Sequence, residues 1–527
     1  MTVTRRSKVV SFEEAARLIP DGAVVGCCGV IGWITPDRML KSIAERFGRE
    51  SRPADCTFFF PCGIGDAIDI KGMDHVAIPG LMKRIISGSY INPRHPKTGE
   101  RPRLMQAVHA NQVEAYSWPI GATMQWLREV ARHSPGLFTE IGIGCYIDPR
   151  QTGGKITATA RNDLVFVREI AGKEYLYYPT FPIDIAIVRG TTADTYGNIA
   201  MEKEPFVSSV LPLAMAAMAS GGKVIAQVER IVPRGSLPAG QVWIPGCLVD
   251  AVVADPGQVM GSGCAYLPEA SGETKGPLAR LPKIPFGVDK VIARRAARQV
   301  RPGEVCIFGF GASGDVPLIL AEEGRLDGEG LYDYHFTTEH GPHGGVLLRE
   351  WQFSANYNPE AFVDCASHFD FIDGGGCRFA SLAFAEFDPQ GNVNVSRFGS
   401  YVPGAGGFID IAHNARTLVF TGTFTGGGPS LELGDGQCRV AREGKFRKFV
   451  KKVREITYPV LRGVRERGQK ALIVTERAVF DIAPEGLVLT EIAPGVDLRR
   501  DVLGQMEFAP ARILDPLPRM DSALFRP

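Results

Sequence analysis

Glu339 stands in a segment that could present a carboxylate to a large substrate. It lies in the run 337–345, Thr-Thr-Glu-His-Gly-Pro-His-Gly-Gly, which follows the alternating segment 331–336. The alternation predicts a strand, and the glycines allow backbone conformations that are closed to other residues. A glutamate between a strand and a glycine turn would lie at the edge of a sheet, where open α/β sheets bind ligands. From these residues alone, a covalent nucleophile and an ordinary solvated glutamate both remain open.

A metal site is one alternative chemistry for this region. Its possible ligands are His335, His340, His343, Asp333 and His368. The spacing of the first three histidines, H-x4-H-x2-H, matches no helix face and no closed zinc set, and the intervening glycines oppose rigid ligation. We therefore predict no metal. His340 and His343 are expected to shape the pocket beside Glu339, and simple surface histidines are the alternative.

A nicotinamide site is a second alternative, raised by residues 309–313, Gly-Phe-Gly-Ala-Ser. The pattern follows an apolar run and precedes a predicted helix. It lacks the third glycine and the acidic residue about twenty positions further on that dinucleotide binding requires. We set nicotinamide binding aside, although a helix N-terminus at this place would favour a pyrophosphate.

The elements that must position these residues occur twice. An apolar run at 23–32 ends in glycines and leads into a predicted helix, and residues 301–317 repeat that order. Two turns of the form Asp-x-x-Gly-Asn, at 194–198 and 388–392, recur in the same relative order. Strands that alternate with helices are typical of α/β sheets, and the repetition predicts a duplication.

Length sets the domain organisation. At 527 residues the chain is too long for a single core, so at least two domains are expected. We place a first domain at 1–270, a linker rich in proline and charge at 271–285, and a second domain that carries Glu339 at 286–527.

Charge and cysteine usage exclude several partners. A net charge of +1 and a sequence pI near 7.6 give no basic field for nucleic acid or an acidic membrane surface, so a small-molecule partner is expected. Eleven scattered cysteines without a C-x-x-C motif, and no secretory apolar segment, predict a reduced, cytoplasmic protein.

Taken together, five stretches resemble the motifs of family I coenzyme A transferases. They are 337–345, which is similar to the glutamate motif T-x-E-x-G-x-x-G-G, then 370–376, 388–395, 404–411 and 474–480 in the same order. The resemblance covers nearly the whole chain. It is closest to the long single-chain acetate/propionate type, which is similar to succinyl-CoA:3-ketoacid CoA-transferase.

The resemblance implies a fold, a reaction and a set of site residues. The fold would be two homologous open α/β domains, of the NagB-like type, fused in one chain. The reaction would be acyl-CoA:carboxylate coenzyme A transfer with ping-pong kinetics, in which Glu339 forms a glutamyl-CoA thioester. Coenzyme A would be a substrate, no cofactor would be permanently bound, and the protein would form a homodimer or homotetramer. Gly407 would donate its N–H to the oxyanion, and five further residues would approach coenzyme A: Gly309, Gly311, Ser313, Gly404 and Gly406.

One departure from the family pattern concerns the substrate pocket. The family usually has Pro-Gln-Gly where this chain has Pro119-Ile120-Gly121, preceded by Trp118. Isoleucine cannot hydrogen-bond an acid or anhydride, so we expect Trp118 and Ile120, together with His340, to form a pocket for medium, branched or aromatic acids. Two alternative activities remain open, an acyl-CoA thioester hydrolase on the same scaffold and a catalytically weak acyl-CoA-binding protein.

Overall fold

A computed structural model describes residues 7–66, 68–90, 94–95, 97–399 and 401–527. Its first domain is built on a parallel sheet, because the strands are continuous apolar runs separated by helical crossovers. The strands are β1 Val24–Cys27, β2 Cys56–Phe60, β3 Met82–Ser87, β4 Glu114–Ser117, β5 Ile185–Arg189, β6 Lys223–Val228 and β7 Ala251–Ala254. Their order across the sheet is β7-β6-β5-β1-β2-β3-β4.

Helices and two small sheets cover this first sheet. The helices are Phe12–Arg17, Asp37–Glu50, Met73–Val76, Arg103–His109, Ile120–Ala131 and Val210–Ala219. One small sheet pairs Gly136–Thr139, Lys173–Pro179 and Phe166–Ile170, and the other pairs Arg230–Val232, Thr192–Asp194, Ile199–Ala200 and Val242–Ile244.

The second domain is built on a mixed sheet. Its strands are β8 Val305–Phe308, β9 His335–Thr337, β10 Pro342–His343, β11 Ala361–Phe362, β12 Phe379–Ala383, β13 Thr417–Thr421, β14 Lys470–Val474, β15 Ala478–Ala483, β16 Gly486–Ile492 and β17 Arg512–Ile513. The central strands β9-β8-β12-β13-β14 are parallel, and antiparallel strands extend the sheet at both sides. The chain order reverses at β8, which makes this strand's carboxyl end a place where α/β sheets bind ligands.

The helices of the second half complete the domain. They are Val288–Ala297, Ala312–Glu322, Cys365–Asp373, Phe408–Asn414 and Val460–Arg467. Along the chain, segment 271–285 follows the strands of the first large sheet and precedes those of the second. It begins with the last residue of the short helix Pro268–Ser271 and contains the 3₁₀ turn Leu278–Arg280. The strand predicted over 331–336 is wrong in its first half, because Gly328–Asp333 forms a 3₁₀ helix and the strand begins at His335.

The duplication is visible in the two Asp-x-x-Gly-Asn turns. In the first, Asp194 accepts the backbone N–H of Asn198 at 3.1 Å and its side-chain amide at 2.8 Å. In the second, Asp388 accepts the same two groups of Asn392 at 3.0 and 3.1 Å. In both turns the aspartate side chain accepts hydrogen bonds from the residue four positions later, as in an Asx turn. The recurrence of this arrangement agrees with two related α/β domains.

The two domains share a continuous apolar core across their interface. Trp33 of the first domain donates its indole N–H to the carbonyl of Phe353 in the second at 3.0 Å. Within the ranges given above, no helix combines the length and the apolar character that crossing a membrane requires.

Candidate active site

Glu339 lies directly beyond the carboxyl end of β9, with its backbone firmly held. The preceding residue, Thr338, is fully buried and donates its hydroxyl to the carbonyl of Ser354 at 2.9 Å. The side chain of Glu339 is 16% exposed, and its carboxylate lines a cavity of about 290 Å³. The predicted presentation of this glutamate at the sheet edge is therefore confirmed.

The cavity is lined almost entirely by apolar side chains and glycine backbone. It lies outside the carboxyl ends of β8, β9 and β12, which place Gly309, Glu339 and Phe384 on its walls. The other lining residues are Phe308, Phe310, Phe353, Leu382, Ala383, Val395, Phe398, Tyr401, Pro403, Gly404, Ala405, Gly406, Gly407, Phe408 and Ile411. A slot with one carboxylate and little other polarity suits a long, flexible ligand whose reactive end meets Glu339.

Gly407 touches the carboxylate of Glu339 directly. Its backbone N–H lies close enough to that carboxylate to favour the charged form. A Cβ on Gly407 would lie only 2.0 Å from Glu339 Oε2, so no other residue fits there without moving that carboxylate.

The first domain fixes the direction of that N–H. The N–H of Ile120, at the start of the helix Ile120–Ala131, donates to the carbonyl of Gly406 at 3.0 Å, and Gly406 N–H donates to the carbonyl of Gly88 at 3.2 Å. Because C=O and N–H point in opposite directions across a trans peptide, holding the Gly406 carbonyl turns the N–H of Gly407 toward Glu339. The first N–H groups of a helix lack intrahelical partners, so the one on Ile120 is free for this purpose.

A second contact joins the same two loops. Gly121 N–H donates to Asp410 Oδ2 at 3.3 Å, and a Cβ on Gly121 would meet Asp410 Oδ1 at 2.1 Å. Burial and the nearby Asp373 raise the pKa of Asp410 well above its ordinary value, which favours its neutral form. Glycine at position 121 therefore lets the two domains meet without a gap.

The surroundings of Glu339 raise the pKa of its carboxyl group. Burial raises the pKa of Glu339 to about 7, and the hydrogen bond from Gly407 partly offsets that effect. His340 Nε2 lies 3.8 Å from Glu339 Oε1, but burial, with a contribution from His368, lowers the pKa of His340 to about 3. The imidazole is thus neutral at pH 7, and the contact is not an ion pair.

The structure brings some of the predicted coenzyme A contacts together and leaves others out. Gly309, Gly404 and Gly406 line the cavity with Glu339, whereas Gly311 and Ser313 do not. Ser313 is fully buried, and its hydroxyl is hydrogen-bonded to Thr421 at 2.6 Å and to Ser381 at 3.0 Å. Its hydroxyl group therefore joins one helix and two strands of the second domain and is not available to a ligand.

Two of the three residues predicted to form the acyl pocket lie outside the cavity. Trp118 is fully buried, with its ring centroid 5.0 Å from that of Tyr178 and 5.8 Å from that of Trp126, so it belongs to the aromatic core of the first domain. Ile120 is 1% exposed and lies behind Gly406, off the wall of the cavity. The third predicted member, His340, lies beside Glu339 but does not line the cavity either.

A cationic cavity next to the first one was missed by sequence reasoning. It has a volume of about 370 Å³, shares Phe384 and Phe398 with the first cavity, and carries Lys448, Arg447 and Arg454. Lys448 lies 3.9 Å from the centre of the Phe384 ring, and burial lowers its pKa to about 8, which leaves it mostly charged at pH 7. The signal was the basic run at 445–454, Lys-Phe-Arg-Lys-Phe-Val-Lys-Lys-Val-Arg.

No metal site accompanies the histidines in the part of the chain that the structure describes. Among those residues, no group of three His, Cys, Asp or Glu side chains is arranged to hold an ion. The fold and the site therefore define a two-domain α/β protein with a buried carboxylate at the end of an apolar slot.

The sequence was compared with models of known protein families and with curated proteins. A family model described as "Coenzyme A transferase" matches residues 9–255. The chain is 37% identical over 525 residues to "Acetate CoA-transferase YdiF" of Escherichia coli (strain K12), covering 99% of this chain and 96% of that protein. It is also 37% identical over 529 residues to "Caffeate CoA-transferase" of Acetobacterium woodii, covering 98% and 97%.

A solved structure agrees over the same extent. The crystal structure of the acyl-CoA transferase YdiF from E. coli O157:H7, described as a thioester complex with CoA, matches with a TM-score of 0.89 and 36% identity, covering 99% of this chain and 96% of that chain. The chain belongs to the coenzyme A transferase family. It is a coenzyme A transferase, and coenzyme A is its substrate.

Proposed function

We propose that this enzyme transfers coenzyme A from an acyl-CoA to a free carboxylic acid by ping-pong kinetics, through a glutamyl-CoA thioester on Glu339. The observation that carries the proposal is the contact of the Glu339 carboxylate with the N–H of Gly407 at the end of an apolar cavity. A thioester is a reactive acyl donor, so a carboxylate can attack it without a base to activate it.

The first half-reaction loads the enzyme. A carboxylate oxygen of Glu339 attacks the thioester carbonyl, the carbon–sulfur bond breaks, and coenzyme A leaves as a thiolate, which produces a mixed anhydride. The thiolate then attacks the glutamyl carbonyl of the anhydride. That step forms the glutamyl-CoA thioester and releases the first acid as its carboxylate.

The second half-reaction runs these steps in reverse with a new acid. Its carboxylate attacks the glutamyl thioester, the thiolate leaves, and a second mixed anhydride forms. The thiolate attacks the new acyl carbonyl, which gives the product acyl-CoA and restores the Glu339 carboxylate. No proton is gained or lost over the cycle, which agrees with a neutral His340 beside Glu339.

Two features of the site support these steps. Negative charge develops on the Glu339 carbonyl oxygen whenever the thiolate attacks or leaves there, and the N–H of Gly407 faces that oxygen. The apolar walls limit the water around Glu339, which strengthens that hydrogen bond and protects the anhydride from hydrolysis.

The two adjoining cavities suggest how coenzyme A is held. We place the pantetheine arm in the apolar cavity, against Gly309, Gly404 and Gly406, with its sulfur at Glu339. The phosphates would lie in the second cavity, against Lys448 and its neighbouring arginines. Arg454 is already paired with Glu386 at 3.1 Å, so Lys448 and Arg447 are the stronger attraction for phosphate.

Steady-state kinetics test the proposal. Initial rates at varied acyl-CoA and acid should give parallel double-reciprocal lines, and Glu339→Gln should abolish transfer, because an amide is a poor nucleophile of nearly the same volume. With acyl-CoA alone, a transferase should release at most one acid per enzyme and stop. Continuous release of coenzyme A would identify a hydrolase, and the absence of both reactions would leave only a binding protein.

A further inference from the structure

Three histidines form a hydrogen-bonded chain that ends on the peptide bond of the nucleophile. His335 Nε2 lies 2.9 Å from His343 Nδ1, and His343 Nε2 lies 3.2 Å from His368 Nδ1. His368 Nε2 then lies 2.6 Å from the carbonyl oxygen of Thr338, whose peptide bond continues into Glu339. None of these three side chains lines the cavity that holds the Glu339 carboxylate.

The last contact determines the tautomer of every ring in the chain. A carbonyl oxygen only accepts, so His368 must carry its proton on Nε2, and in a neutral ring its Nδ1 then accepts. His343 must therefore donate from Nε2 and accept at Nδ1, and His335 must donate from Nε2. Burial lowers the pKa of His343 to about 4 and that of His368 to about 3, which agrees with neutral rings.

The helix Cys365–Asp373 donates hydrogen bonds to the backbone carbonyls on both sides of the Glu339 N–Cα–C unit. His368 donates to the Thr338 carbonyl that precedes Glu339, and Cys365 donates its thiol to the carbonyl of Glu339 itself at 3.6 Å. Residues three apart share one face of a helix, so a single helix turn contacts two successive carbonyls.

The same helix is anchored to the first domain. Gln125 donates to Asp373 at 2.7 Å, and Arg128 pairs with Asp370. The helix that carries Gln125 and Arg128 is the one whose first N–H holds the Gly406 carbonyl. Glu339 and its hydrogen-bond donor Gly407 are therefore aligned through one first-domain helix.

We propose that His368 is a positioning residue for Glu339, and that His343 keeps it effective by holding it in the tautomer that donates from Nε2. This inference rests on the proposed role of Glu339 as the nucleophile. The proton chain ends on a carbonyl oxygen, which is not basic enough to take a proton, so the histidines orient the nucleophile and transfer no proton in the reaction.

Two substitutions at position 368 separate positioning from simple packing. His368→Gln keeps a donor and an acceptor, whereas His368→Phe keeps the ring volume and removes both. We expect His368→Phe to lower kcat by about tenfold to a hundredfold with KM for acyl-CoA within about twofold, because a misdirected nucleophile affects the chemical step. His368→Gln should stay within about threefold of the wild-type kcat. His109→Phe, far from the chain of histidines, is the matched control and should change nothing.

Equal losses in the Gln and Phe variants, or a wild-type rate in His368→Phe, would overturn the proposal. The tautomers can be read in the wild-type enzyme itself, so the test does not depend on a variant that folds. In ¹⁵N-histidine-labelled protein at pH 7, His368 should show a protonated Nε2 and an unprotonated Nδ1, and His343→Phe should disturb that signal. A protonated Nδ1 on neutral His368 would contradict the proposal. If Glu339 were not the nucleophile, no coenzyme A adduct would form on it in the wild-type enzyme, whereas a failure of the histidine proposal leaves that adduct intact.

Discussion

Replacing Gly407 by alanine should disable the enzyme without unfolding it. The added Cβ would lie 2.0 Å from Glu339 Oε2, and real Cβ atoms essentially never approach closer than 3.0 Å, so the carboxylate must retreat by about 1 Å. A displacement of that size in a reacting group can cost on the order of a hundredfold in rate. That loss corresponds to about 2.7 kcal/mol of transition-state stabilisation, at about 1.36 kcal/mol per tenfold.

The fold should tolerate this change. Gly407 has φ −84° and ψ 5°, which alanine adopts freely, and a glycine-to-alanine change at such a position stabilises by about 0.4–1 kcal/mol through the unfolded chain. That gain offsets part of the cost of moving Glu339. The thermal midpoint should therefore shift by only a few degrees.

The assay compares kcat/KM for acyl-CoA with the melting temperature of the same sample. Gly48→Ala is the matched control, because a Cβ there meets no atom within 4 Å, and it should leave the rate unchanged. A Gly407→Ala enzyme with near-wild-type kcat/KM would refute the placement of this glycine against the nucleophile. A variant that loses its cooperative melt would be uninformative, so the melt is measured first.

Four further predictions follow from the two cavities and the residues around them. Because the raised pKa of Glu339 is about 7, kcat/KM for acyl-CoA should rise with pH about tenfold per unit below pH 7 and level off above it, and a flat profile from pH 5.5 to 8 would contradict this. The folded protein holds the Glu339 proton up to about pH 7, whereas the unfolded chain loses it near pH 4.5, so the stability that this carboxyl contributes is fully present below pH 4.5 and is lost as the pH rises to about 7. The free energy of unfolding of Glu339→Gln should therefore change less with pH over that window than that of the wild type. Lys448→Ala should raise KM for acyl-CoA about tenfold and leave KM for an acyl-pantetheine, which lacks the phosphates, unchanged; equal effects on both substrates would remove Lys448 from the phosphate site. The preference for medium, branched or aromatic acids stays a prediction, which is tested by ranking acetate, isobutyrate and a cinnamate by kcat/KM. Since Ile120 lies off the cavity wall, we expect Ile120→Gln to lower kcat/KM for all three acids together. A selective gain for acetate would return Ile120 to the acyl pocket.

Much of the fold could be predicted from the sequence because its signals are local. Apolar runs that end in glycine and precede a helix at 23–32 and 301–317 became β1 and β8 with their helices. The paired Asp-x-x-Gly-Asn turns depend only on an aspartate closing onto its own backbone. The segment 331–336 was predicted wrongly because alternation over six residues also fits a 3₁₀ turn followed by a short strand.

The parts of the site that could be predicted are those that lie in recognisable motifs. Glu339 lies at a sheet edge as its motif indicates, with Gly407 against it. Sequence reasoning valued Ile120 for its side chain, whereas the structure uses its backbone N–H, which any residue except proline supplies. Trp118 and Ser313 were assigned to ligands by their place in a pattern, but long-range packing buries both.

The histidine chain and the cationic cavity depend on contacts between distant segments. His368 lies 30 residues from Thr338, and no local periodicity announces that their atoms meet. Spacing along the chain likewise does not reveal that His335, His343 and His368 are hydrogen-bonded to one another.

The most direct test of the central claim is to find the covalent intermediate. Enzyme incubated with acyl-CoA and no acceptor acid should gain the mass of one coenzyme A less one water, and peptide mapping after borohydride reduction should place the modification on Glu339. Glu339→Gln should gain nothing, and free carboxylic acid should discharge the wild-type adduct to acyl-CoA. An adduct on one of the eleven cysteines, or on the Glu339→Gln variant, would contradict the account.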